Sequence, residues 1–289
     1  MTEKLLGHIF ALVSIIIWGL TFISTKILLN VFDPVEIMIF RFFMAYILLC
    51  IIYPKQFRIM SMKEEFKFFI LGLSGVSFYF LAENIALTYT LASNTSFILT
   101  TAPLYTAIIA HIFSDDEKFN KSVIIGFVFS IIGVFLVVYN SKVTLQINPI
   151  GDLLALLAAI MWGIYSVSLK KLPSTYNSIF IVRKTFFYGI ITIIPFIAVF
   201  NADMRATHID TSIIINLLFL GLIASALCYV LWNKAVSLIG AVKSTNYIYL
   251  IPLVTVVSSA LILDEKINLI MIIGGVFILG GVIMADKWK

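Results

Sequence analysis

Two stretches of the chain, GHIFALVSIIIWGLTFISTK at residues 7–26 and GDLLALLAAIMWGIYSVSLK at residues 151–170, resemble one another. Eight of their twenty positions are identical, and both contain a Trp-Gly pair, at residues 18–19 and 162–163. Each stretch is apolar and long enough to cross about 30 Å of hydrocarbon as a helix. The chain therefore contains an internal repeat that begins with a membrane-spanning helix.

The repeat continues to the end of the chain. Residues 116–133 match residues 264–281 at ten of eighteen positions, including a whole Asp-Glu-Lys turn. Further matches follow in the same order between these anchors, pairing Arg41 with Arg183 and Pro103 with Pro252. We therefore divide the chain into two copies, residues 1–143 and 144–289.

The composition shows whether the two repeats lie in water or in a lipid bilayer. Of 289 residues, 61% are hydrophobic and 12% are charged, whereas soluble domains carry about 25% charged residues. Ten apolar runs are long enough to span a bilayer: 5–28, 33–53, 66–88, 92–113, 121–140, 149–170, 177–200, 212–236, 241–263 and 268–286. Only helices satisfy their own backbone in lipid, and five spans per copy place the second copy upside down. The predicted fold is an all-α polytopic membrane protein, with ten transmembrane helices as two inverted five-helix repeats.

Lysine and arginine are distributed unevenly between the two sides of the predicted membrane. One side of the membrane holds both termini and the connections after spans 2, 4, 6 and 8, and these carry thirteen lysine and arginine residues. The connections on the other side carry four. Basic residues concentrate on the cytoplasmic side, so both termini are predicted to be cytoplasmic, in an inner or plasma membrane. The excess of basic residues, a net charge of +5, is therefore interpreted as orienting the protein in the membrane, and we expect no nucleic-acid partner.

Polar and aromatic residues recur at helical spacing on six of the spans, where they could enclose one amphipathic cavity. Intramembrane polar groups usually face protein or a water-filled cavity rather than lipid. The predicted substrate-binding residues are Trp18, Tyr79, Glu83, Asn84, Asn94, Thr101, Tyr105, Trp162, Tyr229, Trp232, Lys243 and Asn246. Pro103 and Pro252 are predicted to bend the fourth and ninth spans as hinges or gates. In the alternative interpretation, the hydroxyls bond to their own helices and the aromatic rings only pack.

The charged residues within spans allow two interpretations each. Glu83 could contact a cation or exchange a proton, or it could simply be wet at the outer end of its helix. Arg41 and Arg183 could bind a substrate carboxylate or brace the scaffold, and their recurrence in both copies favours bracing. Glu83 aligns with Trp232 in the other copy, so it is the candidate for a residue that breaks the repeat symmetry.

Signals for an enzyme or a cofactor are weak. The sequence has no Gly-rich phosphate loop, no Ser-His-Asp arrangement and no CxxC motif. Its three histidines lack metal-ligand spacing, and Cys50 and Cys228 both lie inside predicted spans. We therefore predict that the protein is not an enzyme and that it uses no metal or other cofactor.

The ordered motifs resemble the drug/metabolite transporter superfamily, in its EamA-type branch. The resemblance rests on the duplicated Trp-Gly pair, Asp33-Pro34 leading to Arg41, the segment 84–92, Pro103-Leu104 and the duplicated Glu-Lys turn. It implies an inner-membrane carrier, often an exporter of amino acids or related metabolites, with a central cavity lined mainly by the third, fourth, eighth and ninth spans. It also implies a peripheral scaffold of the fifth and tenth spans, with structural roles for Glu117 and Glu265.

Two departures from the relatives limit the comparison. The first span has no carboxylate, so the proton antiport of the smaller multidrug relatives is not transferred. Lys243 alone gives little support for a phosphorylated substrate of the kind that the sugar-phosphate relatives carry. We predict a secondary transporter that exports a small amphipathic metabolite by alternating access, and amino acids or related compounds are the leading substrate class. Drug efflux and import remain alternatives, as does coupling to a proton.

Overall fold

The computed structural model describes residues 3–55, 60–89, 92–113, 121–140, 149–173, 175–200, 209–262 and 269–286. Within these ranges the regular structure is helical and forms ten consecutive segments, which match the ten predicted spans. Their bounds are α1 Glu3–Leu28, α2 Pro34–Ile52, α3 Met62–Tyr89, α4 Ala92–Leu99 with Ala102–Phe113, α5 Lys121–Asn140, α6 Pro149–Lys170, α7 Ser178–Val199, α8 Thr211–Ile239, α9 Ala241–Asn246 with Tyr247–Leu250 and Ile251–Ile262, and α10 Leu269–Asp286. The prediction of a polytopic all-α membrane protein is confirmed.

Six of these segments, α1, α2, α3, α6, α7 and α8, are individually long and apolar enough to cross a membrane. The others are interrupted or contain shorter apolar stretches, such as Ala102–Phe113. Large apolar side chains cover the outward faces of α5 and α10; Val276, for example, is 63% exposed. A large apolar surface of this kind is typical of a membrane-facing side of a protein.

Short polar signals fix where three of the helices begin. At the start of α2, the backbone N–H of Asp33 donates to the carboxylate of Glu36 at 2.8 Å, and Pro34 occupies the first helical turn. The side chain of Asn177 accepts from the N–H of Ile179 at the start of α7. Asp210 caps α8 in the same way, through the N–H of Ile213.

The helices of the two halves make equivalent contacts: each of the following contacts of a helix in the first half recurs for the corresponding helix in the second half. Helix α1 packs against α8 and α9, and α6 packs against α3 and α4. Helix α2 packs against α8 and α7 against α3, while α2 meets α7 and α5 meets α10. Each half therefore packs its first helices against the third and fourth helices of the other half, and the site between them is built from both. The predicted boundary at residues 143 and 144 lies outside the described residues.

Glycines bring α5 and α10 into close contact. A Cβ added to Gly133 would lie 2.5 Å from the carbonyl oxygen of Gly274, and one added to Gly281 would lie 2.6 Å from the carbonyl oxygen of Gly126. Small residues allow membrane helices to approach until their backbones touch. These helices form a pair beside the central core, in agreement with the expectation of a peripheral scaffold. Glu117 and Glu265, expected to support it, lie outside the described residues.

Four of the central helices depart from regular α-helix near the middle of the fold. Residues Leu73–Ser77 of α3 and Phe219–Leu227 of α8 are π-helical. Helix α4 is interrupted at residues 100–101, and α9 passes through a 3₁₀ turn at Tyr247–Leu250. Pro103 and Pro252 each follow such an interruption directly, at the second residue of the next helical piece. Such irregularities are common at functional sites, because they release backbone groups from the regular hydrogen-bond ladder.

Candidate functional site

Five aromatic side chains form a cluster at the contact between the two halves, which we call the aromatic cage. The ring centroid of Trp18 lies 5.2 Å from that of Trp162 and 5.0 Å from that of Trp232. Tyr229 lies 5.8 Å from Trp18, and Tyr79 lies 5.0 Å from Trp162. The contacts are tilted or edge-on, which is the arrangement that ring quadrupoles favour. The cage is a rigid wall that presents both apolar ring faces and polar edges.

The aromatic cage borders a central cavity to which α1, α2, α3, α4, α6, α8 and α9 contribute. The cavity comprises about 560 Å³ of space not filled by protein atoms, part of which is open to solvent. Its lining residues are Trp18, Thr21, Phe22, Arg41, Tyr79, Phe80, Glu83, Ser96, Leu99, Ala102, Trp162, Tyr229, Ile248 and Ile251.

Side chains of the cage satisfy backbone carbonyls in the two π-helical segments. The hydroxyl of Tyr229 donates to the carbonyl of Gly75 in α3 at 2.5 Å. The indole N–H of Trp18 donates to the carbonyl of Ala224 in α8 at 2.9 Å. Gly75 and Ala224 occupy equivalent positions in the aligned halves. Both bonds cross from one half to the other, so they couple the shape of the irregular helices to the position of the aromatic rings.

Two charged side chains, one of each sign, face the cavity. The guanidinium of Arg41 is 2% exposed, donates from Nε to the hydroxyl of Ser225 at 2.9 Å and lies 4.2 Å from the ring centroid of Phe80. Glu83 is 7% exposed and interacts electrostatically with Arg41 and the hydroxyl of Tyr79. Glu83 is therefore buried rather than wet at the outer end of α3.

Several polar atoms around the cavity are buried without a hydrogen-bond partner among the described residues. They are Oε2 of Glu83, Oγ of Ser96, and the indole nitrogens of Trp162 and Trp232. Buried polar groups in native structures nearly always have partners. Glu83, Ser96 and Trp162 line the cavity. The ring of Trp232 contacts the rings of two lining residues, Trp18 and Trp162. The unpaired atoms of Glu83, Ser96 and Trp162 are the donors and acceptors that a polar molecule in the cavity would meet.

Five of the predicted substrate-binding residues line the cavity: Trp18, Tyr79, Glu83, Trp162 and Tyr229. Trp232 belongs to the cage but lies behind the lining, fully buried. Asn246 is 3% exposed on α9, and its side-chain nitrogen has no partner among the described residues. It lies two residues before the lining residue Ile248, outside the lining itself.

The remaining predicted residues lie away from the lining. Asn84 is buried and donates to the carbonyl of Pro34 at 3.2 Å, which joins α3 to the start of α2. The hydroxyl of Thr101 donates to the carbonyl of Ile98 at the interruption of α4, and Tyr105 packs against the main core. Lys243 is half-buried in the first piece of α9, and Asn94 belongs to α4, with its side chain outside the described residues.

The two arginines that align between the halves have different surroundings. Arg183 donates to the carbonyls of Tyr53 at 2.6 Å and Lys55 at 3.0 Å, so it braces the end of α2, as the sequence favoured. Arg41 lines the cavity, which the expectation of bracing did not anticipate. Its recurrence in the repeat favoured bracing, and its bond to Ser225 does join α2 to α8, in addition to its place in the cavity lining.

A second polar cluster, which the sequence did not reveal, joins α3 to α7. The ammonium of Lys184 is fully buried and forms an ion pair with the carboxylate of Glu65. Glu65 also accepts from the hydroxyl of Tyr188 at 2.5 Å and from the backbone N–H of Met60 at 2.7 Å. The hydroxyl of Tyr176 donates to the neighbouring Glu64. This network fixes the first turn of α3 against α7, at one end of the helical core.

The described residues contain no group of three or more histidine, cysteine or acidic side chains that could hold a metal ion. Cys50 and Cys228 are both free thiols within helices. The chemistry that the cavity offers is recognition: ring faces, indole and hydroxyl groups, one guanidinium and one carboxyl group. That inventory is typical of a small-molecule site of mixed polarity.

Comparisons with known proteins place this chain among transporters. The family model for the EamA-like transporter family matches residues 5–139 and again residues 149–285. An uncharacterized transporter of Archaeoglobus fulgidus is 28% identical over 95% of both chains. A probable amino-acid metabolite efflux pump of Escherichia coli is 24% identical, over 97% of this chain and 96% of its own. One solved crystal structure shares the fold, with a TM-score of 0.76 at 14% identity and 99% coverage of each chain. The chain belongs to the EamA-like transporter family.

Proposed function

We propose that this transporter exports small amphipathic metabolites, with amino acids and related compounds as the main class, by alternating access across the cytoplasmic membrane. The observation that carries the proposal is the central cavity, whose wall combines an aromatic cage with one cationic and one anionic side chain. Ring faces suit the apolar part of such a metabolite, and the polar groups suit its charged end. The name of the Escherichia coli relative points to the same class of substrate.

The packing of the helices favours movement of one half against the other. The cavity lies where the first helices of each half meet the third and fourth helices of the other half. A rocking motion at that contact would open the cavity to one side of the membrane at a time. The interruptions that precede Pro103 and Pro252 are the proposed hinges, because they already lack regular helical hydrogen bonds.

The two sequence repeats, residues 1–143 and 144–289, are proposed as the two moving bodies, inverted relative to one another. Both termini are proposed to face the cytoplasm, on the basis of the excess of lysine and arginine on that side. A cysteine introduced next to either terminus should then react with a membrane-impermeant maleimide only after the cells are opened. Labelling of intact cells would contradict this orientation.

The test of the proposed function is transport by the purified protein. Vesicles containing the protein are loaded with a panel of radiolabelled amino acids and related metabolites, including amines and carboxylic acids that carry only one of the two charges, and release is measured against protein-free vesicles. Release of at least one amino acid or related metabolite, together with its stabilisation of the protein in a thermal-shift assay, is expected. No release and no stabilisation by any compound of the panel would refute the proposal, and uptake alone in cells would reverse its direction.

A matched pair of variants connects transport to the cavity. Trp18→Ala removes a cage ring that lines the cavity, and a loss of about tenfold or more in transport is expected. Phe43→Ala removes a ring that is 53% exposed on the outer face of α2, and transport should remain near that of the wild type. Equal activity of the two variants would separate transport from the aromatic cage.

A further inference from the structure

The guanidinium of Arg41 is held in place yet retains unused donors. Its Nε donates to Ser225 and its Cζ lies 4.2 Å from the ring centroid of Phe80, and these two contacts hold the guanidinium in place. Among the described residues, its two terminal nitrogens form no hydrogen bond. A planar guanidinium with a free pair of terminal donors matches the two oxygens of a carboxylate.

The carboxyl group of Glu83 is the complementary group in the same cavity. One of its oxygens, Oε2, is buried and has no hydrogen-bond partner among the described residues. Arg41 and Glu83 interact electrostatically but, within the described part of the chain, form no direct ion pair. Two opposite charges thus face one cavity with unused hydrogen-bonding capacity on both. Isolated buried charges are unfavourable, and such groups inside membranes usually contact a partner or a substrate.

The repeat shows that the scaffold does not require this arrangement. The counterpart of Arg41 is Arg183, which is occupied by the carbonyls of Tyr53 and Lys55. The counterpart of Glu83 is Trp232, which is apolar apart from its indole N–H. A charge pair needed only to hold the helices together would be expected in both halves. It occurs in one half only, next to the cage.

We propose that Arg41 and Glu83 form a zwitterion site, in which Arg41 binds the carboxylate and Glu83 binds the ammonium group of a free α-amino acid. The amino-acid side chain then lies against the rings of the aromatic cage, which selects apolar and aromatic side chains. This inference rests on the proposed transport function and narrows its substrate to molecules that carry both charges. Esters, amines and simple carboxylic acids lack one of the two charges and bind weakly.

The experiment uses three probes that differ in one charge at a time. L-Phenylalanine carries both charges, its methyl ester lacks the carboxylate, and 3-phenylpropanoate lacks the ammonium group. L-Leucine, its methyl ester and 4-methylpentanoate form a second set. Binding to the purified protein is measured for each probe by competition and thermal shift. The wild type should bind the amino acid at least about 30-fold more tightly than either analogue.

Two variants assign each charge to its side chain. Arg41→Gln should weaken binding of the amino acid by about 30-fold and leave the methyl ester unchanged, because the ester makes no use of the guanidinium. Glu83→Gln should weaken binding of the amino acid and leave 3-phenylpropanoate unchanged. Arg41→Lys keeps the charge without the planar pair of donors, and should recover part of the lost affinity.

The outcomes separate this inference from the proposed function. If amino acid and ester bind the wild type equally, or if each variant weakens all three probes alike, the zwitterion site is refuted while transport stands. The same holds if the transport panel yields substrates but no zwitterion among them. If no compound of the panel is bound or transported, the proposed function itself fails.

Discussion

Removal of the carboxylate of Glu65 is expected to destabilise the protein more than removal of its partner, Lys184. Lys184 is fully buried, so Glu65→Gln leaves an ammonium group in the core without its ion-pair partner. Breaking a buried ion pair from one side costs about 3–5 kcal/mol. The side chain of Glu65 is 14% exposed and water screens the pair, so we expect the lower end, about 3 kcal/mol.

The partner substitution, Lys184→Met, leaves a carboxylate in a better position. Glu65 keeps the hydroxyl of Tyr188 and the N–H of Met60 as donors and also reaches water. A loss of only about 1 kcal/mol is expected, because the charge that remains is still solvated and hydrogen-bonded. The double variant Glu65→Gln, Lys184→Met contains no buried charge at this position, so it should be more stable than Glu65→Gln alone.

The free energy of unfolding is measured for the wild type, both single variants and the double variant in mixed detergent micelles, with tryptophan fluorescence as the signal. The double-variant cycle then gives the coupling energy directly. If Lys184→Met lowers the free energy of unfolding as much as Glu65→Gln does, the deeper burial of Lys184 does not determine which substitution is more destabilising. If the double variant is the least stable of the four, the reasoning from the unpaired charge is wrong.

Two further predictions concern packing and hydrogen bonding. Gly281→Ala should destabilise the protein by about 1–3 kcal/mol, because its new Cβ would lie 2.6 Å from the carbonyl oxygen of Gly126. The neighbouring Gly280→Ala meets nothing within 4 Å and should be neutral or stabilising; an equal loss for both would contradict tight α5–α10 packing. Tyr229→Phe should cost about 1–2 kcal/mol in unfolding experiments by leaving the carbonyl of Gly75 without its donor. Tyr89→Phe, at a side chain that is 49% exposed, is its control, and should change stability little.

The course of the chain through the membrane is predictable because a single physical effect, the exclusion of unpaired backbone from hydrocarbon, controls it. Long apolar runs have no stable alternative to a spanning helix, so the sequence predicts the ten spans to within a few residues. The helix starts at Asp33-Pro34 and Asn177 also follow local rules of capping. The π-helical segments of α3 and α8, LSGVS and FLGLIASAL, have no such signal, because both mix apolar and small residues as regular membrane helices also do.

The cavity is predictable only in part, because the contacts of a polar side chain depend on distant parts of the chain. Helical spacing identifies the aromatic rings, since large rings on one helical face are recognisable without knowledge of the partner helix. The polarity of Asn84 indicates a place in the site, yet its side chain bonds to the carbonyl of Pro34. The recurrence of Arg41 indicates a place in the scaffold, and its side chain both bonds to Ser225 and lines the cavity. The role of a polar residue depends on which distant group its side chain contacts in the folded protein. The sequence alone does not specify that contact.

The repeat therefore accounts for the frame of this transporter and not for its chemistry. Equivalent carbonyls, those of Gly75 and Ala224, accept bonds from side chains of opposite halves, so the frame is nearly symmetric at the cage. The charges at the cavity, on Arg41 and Glu83, belong to one half only. Under the proposed mechanism a zwitterion is held by one half while rings from both halves enclose it. Binding then joins the two moving bodies, because each half contributes contacts that the other half lacks.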